Sequence, residues 1–458
     1  MFYGADYYPE HWPEERWARD AELMQQAGMN VVRLAEFAWS KLEPSEGVFD
    51  FDWLERALDT LNERGIKAVL CTPTPTPPDW LMAAHPEALH VNQQGQTSTL
   101  GTRRHSCLSS QAYRIASRRI TKVMAERFGK HPGVIGWQLD NEFGCHYTHW
   151  CFCETCKRGF QEWLRAKYGT LEALNERWGT IFWSQTYTAW ESIPVPGWSV
   201  AGHSPSLQLE FRRFSSDNVV SFAKEQVDLL RELTSGQFIT HNLMGMWDLI
   251  NDYDLGELLD FVSWDNYPGI APAGQESWDW RLRAGLSGDI MRGAKGQNVW
   301  VMEQQSGPTG GYTATPHPRS GDIRALAWQQ IAHGADGMVF FRWRVARFGS
   351  EQCWHGILGH DGRPNRRYKE VSELGTELKQ AGKHIQGSTP SAQVAVVRCF
   401  SNDWALQIGP PAVGFDWNRQ ALTVTEAARR QGLGLAFVSP MGPFEGYQAI
   451  ILPTFMLA

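Results

Sequence analysis

VWVMEQ, residues 299–304, places four apolar side chains in a row and then presents Glu303. A continuous apolar run of that length behind the turn-like KGQN predicts a strand buried on both faces, as in a parallel sheet. The run breaks into a long Gly/Pro loop, QSGPTGGYTATPHPRSG (305–321). VIGWQLDNE (134–142) has the same form, ending on Asn141 and Glu142 before the chain breaks into GCHYTHW. Working outward, further apolar runs read as strands: FYGADYYP at the start, NVVRLAEF, IKAVLCTPT, QFITHNL, FVSWDNYP and GMVFFRW. Helical spacing fills 13–28, 52–65, 110–129, 210–234 and 322–333, the first with Pro in its first turn and Gly as its stop. Eight strands alternating with helices predict a (β/α)8 barrel with insertions. An open doubly wound sheet is the competitor, but G-x-G-x-x-G is missing after the first strand.

From about residue 390 the pattern restarts. SAQVAVVR, GLAFVSP and YQAIILPTF read as strands, with a helix over 423–432. The expected division is a catalytic barrel over 1–388 and the start of a second α/β domain over 389–458. Three strands make a poor independent unit, so a partial domain relying on further chain or on a partner is expected.

Composition narrows the function. The chain carries 43 basic and 50 acidic residues, a net charge of −7, with no basic block, which argues against nucleic acid. The 22 tryptophans exceed what core filling readily absorbs and suggest platforms for the apolar faces of sugar rings. No apolar stretch approaches the ~18 residues of a membrane span. MFYGADYYPEHWPEERW has charges and prolines where a signal peptide needs an apolar run, so a cytoplasmic protein is expected.

In such a barrel the chemistry lies at the C-terminal ends of the strands. Arg103, His105, Asn141, Glu142, Tyr267, Glu303, Arg342, Trp343, Glu351 and His355 all fall there. Two strand-end glutamates meet the needs of glycoside hydrolysis, one as acid and one as nucleophile or base. Glu303 would attack the anomeric carbon and Glu142 would protonate the leaving oxygen. Arg103 would favour an ionised nucleophile, Tyr267 could donate to it, and Asn141 could meet the sugar 2-hydroxyl.

A third cluster is C-F-C-E-T-C, with Cys151, Cys153 and Cys156 in the loop after Glu142. Three thiols in six residues suggest a tetrahedral zinc site lacking one ligand. Cys107, in the loop after the neighbouring strand, is the best fourth candidate, with Cys145, His146 and His149 as rivals. Four thiolates would leave zinc no open position, making it a structural clamp between two loops. Cys71, Cys353 and Cys399 show no partner pattern.

WQLDNEFG, VMEQQSG, GTRRHSC and the opening YGADYYPEHW together resemble the family 42 glycoside hydrolases, bacterial β-galactosidases of clan A. The likeness runs in order along essentially the whole chain. It implies a retaining mechanism with Glu142 as acid/base and Glu303 as nucleophile. It also implies galactose contacts from Arg103, Asn141, Trp183, Tyr267, Phe348, Glu351 and His355, and favours Cys107 as the fourth zinc ligand. Tyr312 stands where the family commonly has tryptophan, and EQCWHG is one residue longer than the usual spacing before His355. The resemblance further implies a homotrimer.

The leading expectation is therefore a retaining exo-β-galactosidase acting on terminal β-D-galactose. The same mechanism on α-L-arabinopyranosides or galacto-oligosaccharides is the alternative substrate reading. A non-catalytic carbohydrate-binding barrel has no need of both glutamates, and a zinc hydrolase would need an open His/carboxylate site such as H-E-x-x-H, which is missing.

Overall fold

The computed structural model describes residues 1–268, 280–310 and 315–456; Tyr312 lies outside them. Nine strand segments form one parallel sheet: β1 (Phe2–Asp6), β2 (Val31–Leu34), β3 (Lys67–Cys71), β4 (Val134–Gln138), β5 (Phe238–Thr240), β6 (Asn242–Leu243), β7 (Ser263–Asn266), β8 (Val299–Gln305) and β9 (Ala335–Phe341). β1 pairs with both β2 and β9, so the first and last strands meet. β5 pairs with β4 and β6 with β7, with only His241 between them. The two are one barrel strand interrupted at His241. The predicted eight-stranded barrel is present with its fifth strand split.

All seven residues of β8 are buried, as the apolar run required. Strand alternation then decides what faces inward. Val31, Val69, Trp300, Met302 and Val339 pack together as the barrel's inner plug, while Val32 and Leu34 join the large core between strands and helices. Two residues beyond Val31 on the same face of β2 comes Arg33, completely buried. Gly337 makes this plug possible: a Cβ there would fall 2.3 Å from the Trp300 ring.

Boundaries moved where caps or tertiary contacts prevailed. The predicted 210–234 helix begins at Pro205, whose fixed φ suits the first turn. The predicted 423–432 helix begins at Trp417, because the Asp416 side chain accepts from the Asn418 N–H and caps it. A helix over Trp280–Gly293, between β7 and β8, was not foreseen. The long excursion after β4 carries helices Glu154–Tyr168 and Leu171–Trp178. Phe160, Leu164, Leu174, Trp178 and Phe211 give that excursion a small core of its own, joined to the four cysteines.

A separate three-stranded parallel sheet, in order β11–β10–β12, contains β10 (Val394–Val397), β11 (Leu435–Val438) and β12 (Ala449–Ile451). It seats on the helix Trp280–Gly293. Arg292 donates to the Leu435 carbonyl at 3.1 Å, and Gly293 lies so close that a Cβ would meet the Phe437 carbonyl oxygen at 2.3 Å.

Candidate active site

The ends of β2, β4, β6, β7 and β8 converge on a cavity of about 560 Å³. Glu142, Asp265 and Glu303 each offer a carboxylate oxygen into one cluster, all three within 4.8 Å of one another. Glu303 lies within β8, two residues before its end. Glu142 follows β4 with a left-handed backbone, φ 45°, and Asp140 before it has φ 50°. Non-glycine residues in that region carry strain that surrounding bonds must hold.

Both oxygens of Glu303 are held. Arg33 donates to Oε1 at 2.7 Å and the Tyr267 hydroxyl donates to Oε2 at 2.6 Å. Arg33 also pairs with Asp6 at 2.9 Å and Glu36 at 2.9 Å, and the Tyr8 hydroxyl donates to Glu36 at 2.6 Å. One buried guanidinium thus serves three carboxylates. Burial pushes the Glu303 carboxyl up to about 7, and Glu142 adds to the rise; Arg33 and Tyr267 pull the other way. Burial likewise raises Asp6, against the pull of Arg33 and with the push of Glu303 and Glu36.

Arg103 reaches the site but not the residue expected. Its guanidinium lies 3.3 Å from Glu142, while the cation on Glu303 is Arg33. Glu142 also receives Asn141 Nδ2 at 3.3 Å. Asn242 sits beneath both: its Oδ1 accepts from the Glu142 N–H at 3.1 Å. Its Nδ2 lies 2.9 Å from Asn141 Oδ1, 2.7 Å from Asp265 Oδ2 and 3.4 Å from Glu303 Oε1.

Of the other residues singled out in the sequence, Tyr267 and Glu351 line the cavity, Glu351 facing Arg342 at 3.6 Å. Trp354 lines it and its neighbour His355 does not; the His355 ring faces His317 and His360. Phe348 is exposed and meets His11 edge-on. Trp183 is 67% exposed, beside exposed Ile181 and Phe182, and does not line the cavity. His105 and Trp343 are buried away from it. Arg33, Asn242 and Asp265 were missed. Each lies inside a run read simply as a buried strand, and the available signal was a polar side chain in such a run.

Cys107, Cys151, Cys153 and Cys156 come together with all four sulfurs within 4.8 Å. Cys107 stands 3.5 Å from Cys153 and 3.3 Å from Cys156. Ligands ~2.3 Å from a tetrahedral ion lie about 3.8 Å apart, so the cluster fits a metal of that kind. The Val91 N–H donates to Cys151 at 3.4 Å, and the Cys156 N–H donates to Cys153 at 3.4 Å, contacts that favour thiolates. Among the rivals, Cys145 lies instead in the catalytic cavity, and His146 lines it too. His149 is buried outside the cluster. Among the described residues no helix is long and apolar enough to cross a membrane.

Comparison with known proteins agrees along the whole chain. The family 42 glycoside hydrolase profile, described as β-galactosidase, matches residues 6–381. A β-galactosidase of Haloferax lucentense is 41% identical over 100% of this chain and 69% of its own length. Among solved structures, the β-galactosidase of the Antarctic haloarchaeon Halorubrum lacusprofundi superposes with TM-score 0.96 at 40% identity, covering 100% of this chain and 70% of that one. The enzyme from psychrophilic Marinomonas ef1 gives 0.95 at 38%, covering 99% and 72%.

Proposed function

Because the chain belongs to the family 42 glycoside hydrolases, we propose that it removes terminal non-reducing β-D-galactose with retention of configuration, Glu303 acting as nucleophile and Glu142 as acid/base. The observation that carries this reading is the close approach of the two glutamates, which bring one carboxylate oxygen each to within 4.8 Å of the other's. Retaining glycosidases hold their pair at about 5–5.5 Å, whereas inverting ones need ~6.5–9.5 Å to seat a water.

In the first half-reaction Glu303, ionised and fixed in plane by Arg33 and Tyr267, attacks C1. Protonated Glu142 gives its proton to the departing oxygen. In the second half Glu142, now a carboxylate beside Arg103, takes a proton from water, which attacks C1 and releases Glu303. Asn141, beside the acid, would meet the 2-hydroxyl, and Glu351 and Trp354, which line the cavity, would meet the far side of the sugar. A sugar lacking the C6 hydroxymethyl, such as an α-L-arabinopyranoside, would use the same machinery.

Zinc is our reading of the four-cysteine cluster. Bound there, it would be held by Cys107, Cys151, Cys153 and Cys156 and would act structurally, tying the loop that carries Arg103 to the loop that follows Glu142. Eight unpaired cysteines support a reducing, cytoplasmic setting. A homotrimer is our reading from the family membership, and the exposed Ile181, Phe182 and Trp183 would suit a subunit contact. We take 1–388 as the catalytic unit and 389–458 as an α/β association unit.

The test is covalent trapping with a 2-deoxy-2-fluoro-β-galactosyl donor carrying a good leaving group. A single adduct on the peptide containing Glu303 is the expected result. An adduct on another carboxylate, or none with either the galactosyl or the arabinosyl donor, would overturn the assignment.

A further inference from the structure

We infer that Asn242 is the residue that positions the general acid, and that it does so by anchoring the strained backbone of Glu142 to the floor of the nucleophile's site. This rests on the assignment of Glu142 and Glu303 above and adds a residue to it.

The orientation of the Asn242 amide follows from its surroundings. A backbone N–H can only donate, so the oxygen that meets the Glu142 N–H must be Oδ1. The amide nitrogen then faces three acceptors, Asn141 Oδ1, Asp265 Oδ2 and Glu303 Oε1. Every neighbour agrees with that one orientation. The side chain is wholly buried, so no water competes for these bonds. Its place on β6, directly after the break at His241, brings it between β4 and β7.

The two glutamates depend on it unequally. Glu303 has bonds of 2.7 Å from Arg33 and 2.6 Å from Tyr267, and its contact with Asn242 is the longest of the three at 3.4 Å. Glu142 hangs from a left-handed backbone whose N–H is held by Asn242. Asn141, the neighbouring residue, is held by the same amide at 2.9 Å. Removing the amide therefore loosens the acid far more than the nucleophile. Asparagine is also the chemistry the place demands. An aspartate could still accept from the Glu142 N–H, but its second oxygen would face Glu303 and Asp265 with no hydrogen to offer.

Leaving-group dependence separates this role from a general loss of structure. A 2,4-dinitrophenyl β-galactoside departs with little acid help, whereas an alkyl β-galactoside or lactose needs the proton from Glu142. Wild type is first trapped at Glu303 and assayed on both; failure there would sink the assignment of the glutamates and the inference with it, whereas failure confined to the variants would sink the inference alone. In N242A, kcat/KM on the alkyl galactoside should fall by about 100-fold or more, the scale of a misplaced catalytic group, and on the dinitrophenyl galactoside by less than about 10-fold. Equal losses on the two substrates, or losses under twofold on both, would overturn the proposal. N242S and N242D serve if the alanine variant fails to fold. N242S should show the same asymmetry in smaller measure. N242D keeps the Glu142 anchor, so its loss should be similar on both substrates. Its pH profile should shift to higher pH, because the new carboxylate adds negative charge among Glu303, Asp265 and Glu142, with Arg33 and Asp6 nearby, and so delays ionisation of the nucleophile. An N242D profile that keeps the wild-type optimum would count against it.

Discussion

Two buried clusters of ligating side chains lie a few residues apart in sequence and differ in almost everything else. The four cysteines are local: three fall within six residues, and only Cys107 comes from another loop. Their small core belongs to the excursion after β4. The carboxylate cluster is assembled from Asp6, Arg33, Glu36, Glu142, Asn242, Asp265 and Glu303, so nearly every barrel strand contributes. The cysteine cluster can satisfy itself with one ion. The carboxylate cluster has more negative groups than its shared guanidinium can balance, so it must hold protons or meet a ligand. A self-satisfied cluster stabilises; a frustrated one facing a cavity is available for chemistry.

The sharpest way to break this contrast is to remove the nucleophile. E303Q should lower kcat by at least about 10⁴-fold while the melting temperature holds or rises, because one of the buried negative charges crowded around Arg33 has gone while Asp6 and Glu36 still pair it. A melting temperature that falls steeply would mean that the carboxylate cluster is structural after all. R33M should damage both properties. It leaves Asp6, Glu36 and Glu303 without their cation, a loss on the order of 3–5 kcal/mol for a broken buried pair, read by denaturant unfolding, and activity should vanish with it.

Y267F isolates one bond. Losing a hydrogen bond to a charged group, ~1.5–3 kcal/mol, should reduce kcat/KM by about 10- to 150-fold with little change in melting. The pH profile gives a further reading. The Glu303 carboxyl is raised, so its reactive ionised form is lost as pH falls through about 7. The acid limb of kcat/KM should therefore lie near neutrality, higher in Y267F, where one lowering influence is gone. A limb near pH 4 to 5 would contradict this. On the cysteine side, C107S or a strong chelator should lower the melting temperature by several degrees, with a smaller proportional effect on kcat below the melting range. Immediate loss of all turnover at 25 °C in a folded protein would make the metal more than a clamp.

How far each cluster could be read from the chain follows from how it is built. The cysteine spacing is a pattern inside one loop and needs no fold to be noticed. Glu142 and Glu303 were legible because each ends an apolar run, a position where barrels carry chemistry. Arg33 was not, because its one acidic neighbour in sequence, Glu36, accounts for a single one of its three carboxylates and marks no site. Its partners Asp6 and Glu303 are reached only when β1, β2 and β8 converge. Arg103 was read as the nucleophile's cation and lies on the acid instead, since proximity in a ring of loops depends on strand order and side-chain reach together. His355 and Trp354 differ by one position, and only the folded loop after β9 decides which of them turns to the cavity.

The barrel, the second sheet after it, the two acidic strand ends and the thiol cluster can all be read along the chain. All of these are periodicity or spacing, properties of neighbouring residues. Folding alone settles which cation holds which carboxylate, that the fifth strand breaks at His241, and that Asn242 lies beneath both glutamates. Those are contacts between residues up to 270 positions apart, made only when the barrel closes, and no local pattern encodes them.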